Sequence, residues 1–161
     1  LFHEFNRYQK VTKRWRNIDG KWIIENVNLV EQWDENDFET IIDCLHTTIE
    51  TGGAVFGAFD SGFLKGFASI EGVPLGIHHD YFDLSLLHVS SEMRGKGIGT
   101  KLFDMVCQWA KEHNAKKLYI SANSSVDSLA FYESKGCVDA AETHHPLSER
   151  KPYDRQLEYI L

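Results

Sequence analysis

Arg94-Gly95-Lys96-Gly97-Ile98-Gly99-Thr100 is the stretch that decides how this chain is read. Ahead of it runs an apolar segment, Asp83-Leu84-Ser85-Leu86-Leu87-His88-Val89; behind it Leu102, Phe103, Val106, Trp109 and Ala110 recur at three- and four-residue steps. The order reads strand, glycine loop, then an amphipathic helix from about Ile98 to His113. The first amides of a helix have no intrahelical partner and sit at the positive end of its dipole, so phosphate oxygens are natural occupants. Glycines at 95, 97 and 99 allow unusual backbone angles and keep side chains away from a bound phosphate, while Arg94 and Lys96 add positive charge. The whole loop, including Ile98 and Thr100, is therefore expected to bind phosphate. The nucleotide loop G-x-x-x-x-G-K-[ST] is absent, and the glycines run G-x-G-x-G, which fails the dinucleotide spacing G-x-G-x-x-G.

Outward from the loop, 161 residues with 42% hydrophobic and 25% charged content make one domain's length with a sizeable core. From Leu1 to about Arg16, Phe2, Phe5, Tyr8 and Val11 step by three, which predicts an N-terminal helix with one packed face. Asp19-Gly20 marks a turn, and Trp22 to Val30 reads as a strand pair or one long strand. Asp34 caps a helix carrying Phe38, Ile41, Ile42, Leu45 and Ile49, which stops at Gly52-Gly53. Ala54 to Phe59 and Leu64 to Ile70, joined through Asp60-Ser61-Gly62, form a hairpin, and Glu71 to Asp80 reads as a surface loop. After the central helix come a strand over Lys117 to Ala122, a short helix from Ser125 to Lys135, a strand near Val138 and a last strand from Gln156 to Leu161. Hairpins followed by strand-helix-strand-helix predict an α/β fold, a mixed and mostly antiparallel sheet with helices on both faces.

Composition narrows the function. A net charge of -7 argues against nucleic acid as a partner and suits a cationic amine. Cys44, Cys107 and Cys137 are an odd number at wide spacing, so neither a disulfide framework nor a metal site is indicated. No apolar run reaches membrane-spanning length and no signal peptide is visible, which places the protein in the cytoplasm with no membrane partner.

Two segments resemble a known family. Val89-Ser90-Ser91-Glu92-Met93-Arg94-Gly95-Lys96-Gly97-Ile98-Gly99-Thr100-Lys101-Leu102 looks like the V-x-x-x-x-R-G-x-G-I-G-x-x-L core of the GCN5-related N-acetyltransferases. Ser125-Val126-Asp127-Ser128-Leu129-Ala130-Phe131-Tyr132-Glu133-Ser134-Lys135-Gly136-Cys137 is similar to that family's N-x-x-A-x-x-(F/L)-Y-x-x-x-G-F segment. The resemblance runs from Trp22 to the end and implies a single N-acetyltransferase domain, with residues 1–16 as a helical extension.

The resemblance implies acetyl-CoA as co-substrate and a primary amine, on a small molecule or on a protein or peptide, as acceptor. Pantetheine would lie against the backbone of Leu87, His88 and Val89, in a V closed on its other side by the strand ending near Ala122. Pyrophosphate would sit on the amides from Arg94 to Thr100. Ser125 stands where the family often has asparagine; as a helix cap it can still bond pantetheine, and Asn123 can supply the amide. Tyr132 matches the family's usual acid and also borders CoA. For the base, Asp83 stands six residues before Val89, where several members carry glutamate. On a regular strand Asp83, Ser85 and Leu87 share one face and Phe82, Leu84 and Leu86 the other, so a desolvated Asp83 should have a raised pKa. Tyr81, His78, His79, His88 and a bridging water are rivals. The alternative function is a non-catalytic acyl-CoA-binding module, against which the retention of both Tyr132 and Asp83 weighs. The resemblance also implies a homodimer through the closing strands. Acceptor loops at Glu71–Asp80 and Thr143–Asp154 carry no readable motif.

Overall fold

The computed structural model describes every residue from Leu1 to Leu161. Strands β1 (Gln9–Ile18) and β2 (Lys21–Glu31) form an antiparallel hairpin of their own. Asp19 and Gly20 turn it with positive φ values of 50° and 82°, the left-handed pair that a two-residue hairpin with natural strand twist requires. The helix expected over residues 1–16 is not formed. Residues 1–8 are neither helix nor strand, and β1 begins at Gln9. Phe2 and Phe5 are buried as their spacing suggested, packed with Leu45, Leu64 and Phe67, but they reach that core from irregular backbone.

Helix α1 (Glu35–Glu50) starts in a capping box, where the Asp37 amide donates to Asp34 and the Asp34 amide donates to Asp37, both at 2.9 Å. The main sheet has six strands in the order β3 (Ala54–Asp60), β4 (Phe63–Ile70), β5 (Tyr81–Val89), β6 (Lys117–Ala122), β8 (Arg155–Ile160), β7 (Val138–Asp139). Every neighbouring pair is antiparallel except β5–β6. Helices α2 (Ile98–Glu112) and α3 (Val126–Ser134) cover one face through Leu102, Phe103, Val106 and Leu129, and α1 covers part of the other. Each such buried side chain contributes about 1.5–3 kcal/mol. Gly66 lets α2 approach β4, since a Cβ there would stand 2.8 Å from Ile98 Cγ2. The segment read as the loop Thr143–Asp154 contains a short helix, α4 (His145–Arg150), whose approach is fixed by the His144 amide donating to Tyr119 Oη at 3.0 Å.

Two irregularities in β5 shape the middle of the sheet. Ile70 pairs with Leu84 and Ser69 with Leu86, so Ser85 is an extra residue, a bulge. The bulge breaks the alternation expected from a regular strand. Leu87 packs with Leu84 and Phe82 on the α2 face, whereas Leu86 joins the α1 core and His88 sits edge-on to Trp33. Second, β5 and β6 are paired only from Tyr81–Lys117 to Asp83–Tyr119. Beyond Asp83 the β6-facing edge of β5 has no strand partner.

Candidate active site

The split between β5 and β6 opens into a cleft of about 1150 Å³ that passes between the two faces of the sheet. On the α2 side it is lined by the glycine loop, Phe131 and Tyr132; on the α1 side by Trp33, Asp37, Ile41 and Asp154, with Leu84 to Val89 between. Leu87, His88, Val89, Asn123 and Tyr132 all border it, as do Arg94, Gly95, Ile98, Gly99 and Thr100 around the helix start.

Gly97 is the residue before α2, at φ 82°, and having no side chain it leaves the first amides of the helix uncapped. A Cβ at Gly95 or Gly97 would meet nothing within 4 Å, so the space in front of those amides is open. Gly99 serves packing, because a Cβ there would approach Phe131 to 3.3 Å. Thr100 Oγ1 accepts a hydrogen bond from Lys135 Nζ at 2.6 Å.

Three expected ligand residues are placed otherwise. Arg94 directs its guanidinium at backbone carbonyls, with Nε donating to Val89 O at 3.1 Å and Nη1 to Tyr8 O at 2.8 Å. Lys96 lies outside the cleft, its ammonium 3.7 Å from Met93 Sδ. Ser125 is buried and does not border the cleft; its hydroxyl caps α3, accepting from the Ser128 amide at 3.2 Å and donating to Ser128 Oγ at 2.8 Å. Asn123 does border the cleft, but its amide is held by Glu31 at 3.0 Å and by the Ser125 amide at 2.8 Å.

Residues 14–137 match the model of the acetyltransferase (GNAT) family. The chain belongs to that family. Acyl transfer from acetyl-CoA is the chemistry this membership supports. Among solved structures, a protein assigned as a streptothricin acetyltransferase from Bacillus anthracis, in complex with acetyl coenzyme A, is similar at 19% identity and TM-score 0.69, over 100% of this chain and 90% of that one. Nourseothricin acetyltransferase is similar at 16% identity and TM-score 0.66, over 96% and 86%. The PaiA N-acetyltransferase of Thermoplasma acidophilum, in complex with coenzyme A, is similar at 17% identity and TM-score 0.59, over 80% of each chain. At these identities the likeness is one of fold. No curated protein sequence matches the chain.

The residues present fit acetyl-CoA. The uncapped start of α2 offers amides to pyrophosphate, and the unpaired edge of β5 offers backbone to the pantetheine amides as an added strand would.

Where the β5–β6 pairing ends at Asp83–Tyr119 the acetyltransferase carries a desolvated carboxylate, one residue beyond the part of β5 that lines the cleft, which begins at Leu84. Asp83 is 6% exposed, is bonded by no side chain or amide of the protein, and is pushed up to about 7 by burial and then by the nearby charge of Glu71. Lys151 and Arg150 pull it partly back. Glu71 is held in place by Thr48 Oγ1 at 2.8 Å and Ser85 Oγ at 2.5 Å, so the bulged residue positions the charge acting on Asp83. Tyr132 Oη has no protein partner, and burial with the charges of Cys137, Asp83 and Asp154 raises its pKa well above the ordinary phenol range. It stays protonated and free to donate.

The rivals are less suited. His88 is pushed down to about 3 by burial and by Arg7, which makes it a very weak base. His78 and His79 are exposed on the loop before β5 and do not border the cleft. Tyr81 donates its hydroxyl to Glu158, which also pairs with Lys117 at 3.4 Å. Sequence reading missed most of the α1 side of the cleft: Arg7, Glu31 and Trp33 come from separate segments with no motif to mark them, while Asp154 ends the loop Thr143–Asp154 expected to face the acceptor.

Proposed function

We propose that this acetyltransferase moves the acetyl group of acetyl-CoA onto a primary amine of a small molecule or peptide in the cytoplasm, with Asp83 as base and Tyr132 as acid. Acetyl-CoA, when bound, supplies the activated thioester. An acceptor amine arrives as its ammonium form, and an Asp83 oxygen takes one proton from that nitrogen. The neutral nitrogen then bonds to the acetyl carbonyl carbon as the carbon–sulfur bond breaks, and the Tyr132 hydroxyl gives its proton to the departing sulfur. The Tyr132 phenolate regains a proton through water as the nitrogen gives up its second, and Asp83 releases its own to solvent.

The single observation that carries this reading is the state of Asp83. Burying an unbonded carboxylate costs stability, and a passive CoA-binding module gains nothing from that cost. A group titrating near 7 is both ionised enough and basic enough to work at neutral pH. A cationic acceptor is favoured because, with Arg7 paired to Glu31, the α1 side of the cleft presents Asp37 and Asp154 against Lys151, and the charge of Asp154 also reaches Tyr132.

The test is incubation with acetyl-CoA and a panel of polyamines, aminoglycosides, amino acids and short peptides. Free CoA is read by chromatography and acetylated acceptor by mass spectrometry. The expected result is equal release of CoA and formation of acetyl-amine with at least one cationic class. Tight acetyl-CoA binding without release across the panel would contradict the proposal.

A further inference from the structure

Acetyl transfer leaves one conspicuous side chain of the glycine loop unused. Arg94 was expected to attract phosphate, yet each of its three nitrogens donates to a backbone carbonyl: Nε to Val89 O at 3.1 Å, Nη1 to Tyr8 O at 2.8 Å and Nη2 to Arg7 O at 3.5 Å, with two of its five N–H groups left over. Val89 ends β5, whereas Arg7 and Tyr8 belong to the irregular N-terminal segment. One planar guanidinium thus bolts that segment to the strand leading into the loop. A lysine cannot reproduce the fork, since its ammonium is a single point of charge.

Other contacts run in the same direction. The Asn6 amide donates to Ser90 Oγ at 2.9 Å, the Ser91 amide to Asn6 O at 2.8 Å, and Lys65 Nζ to Glu4 O at 2.8 Å. Arg7 is 8% exposed, lies 5.3 Å over the Trp33 ring and pairs with Glu31 at 3.1 Å. Past Tyr8 the chain continues as β1 to the other bank, where the Trp15 amide donates to Ser124 O at 2.7 Å, just ahead of α3. From the glycine loop to the start of α3, this stretch crosses the mouth of the split, and Tyr8, Gln9 and Lys10 border the cleft.

We propose that residues 2–15 are a strap closing the acetyl-CoA cleft, and that Arg94 is a positioning residue fastening the strap, not a phosphate ligand. The pyrophosphate is then held by the backbone amides of the loop. The strap shapes the space for the rest of the donor, so its docking and acetyl-CoA binding are coupled. This inference rests on acetyl-CoA being the ligand of the cleft and is independent of Asp83, Tyr132 and the acceptor.

The experiment compares full-length wild type with Arg94→Gln, Arg94→Lys and Lys65→Met. Dissociation constants are measured by calorimetry for acetyl-CoA and for S-acetylpantetheine, which has no pyrophosphate. Tryptic cleavage after Arg7 is followed by mass spectrometry, and far-ultraviolet circular dichroism confirms that each variant is folded. Both Arg94 variants should lose about tenfold in affinity for the two ligands alike, the scale of one or two lost charge-assisted hydrogen bonds. Arg7 should become cleavable in both. Lys65→Met, whose ammonium lies outside the cleft, should lose several-fold and also expose Arg7. Wild-type affinity in Arg94→Lys would overturn the proposal, because charge alone would then suffice. So would a loss confined to acetyl-CoA, which is the mark of a phosphate contact. A Lys65→Met protein cut at Arg7 but binding acetyl-CoA as tightly as wild type would also refute the coupling. Failure of the wild type to bind either ligand would instead remove the acetyl-CoA assignment itself.

Discussion

The α2 side of the cleft presents backbone and the α1 side presents side chains. On the first, the uncapped start of α2 and the unpaired edge of β5 offer amides and carbonyls. On the second, Asp37, Trp33 and Asp154 come from α1, the residues before it and the segment after α4. Recognition by backbone demands glycine where the ligand lies close, and that demand is written into the sequence. Recognition by side chains can be met by many residues at many positions, so it leaves no fixed pattern. On the proposed function the first side serves the donor and the second the acceptor.

Three substitutions test this contrast, and the largest effect is expected where one side is altered and the other left intact. Asp83→Asn should lower kcat/KM for the acceptor about 10²–10⁴-fold at pH 8, while acetyl-CoA affinity stays within about twofold. Steady-state kinetics with calorimetry separates the two, and an equal loss in both would place Asp83 on the donor side. Tyr132→Phe should lower kcat about ten- to a thousandfold with little change in acetyl-CoA affinity. If its activity is unchanged, the acid is water. Gly97→Val should weaken acetyl-CoA about a hundredfold or more by calorimetry. The added side chain projects into open space at a positive φ, so it fills the phosphate's place and strains the turn. Unaltered affinity would remove the backbone account of the loop.

The smallest expected effect is on stability, and its sign is opposite to that on activity. Asp83 holds its proton up to about pH 7 in the folded chain, against 3.8 as its ordinary value. Between those limits the folded state binds more protons than the unfolded one, so Asp83 reduces stability as pH rises through the window. Asp83→Asn should therefore melt several degrees above wild type at pH 8, with the advantage gone near pH 4. Thermal scans at both values check this, and a variant less stable at pH 8 would show that Asp83 is not held against a desolvation cost.

Much of the fold was legible because its periodicities are strong. The stripe from Leu102 to Ala110 gave α2, the Asp34 cap gave α1 and Ser61-Gly62 gave its hairpin turn, while Asp19-Gly20 was read as a turn but with a helix, not β1, before it. Residues 1–16 misled because Phe2 and Phe5 step like a helix while their burial comes from tertiary contact with Leu45 and Phe67. Strand β1 belongs to a two-stranded sheet with mixed exposure on both faces, so no clean alternation marks it. The bulge at Ser85 has no local signature either. Its contacts are all tertiary: Ser85 bonds Glu71, and Leu87 beyond it packs on the α2 core. Within the site, the proposed base and acid, Asp83 and Tyr132, were marked by their distance to the loop and by the resemblance of their segments. That Arg94 would bond the carbonyls of Arg7 and Tyr8 was not, since those lie 87 and 86 residues earlier.

Central to the account is a base kept half ionised at neutral pH by burial. A carbon-13 NMR titration of the Asp83 side-chain carboxyl, assigned by its loss in Asp83→Asn, tests that without needing the acceptor. The account predicts an inflection near pH 7. An inflection near pH 4 would mean a solvated carboxylate, and the assignment of Asp83 as the base would fall.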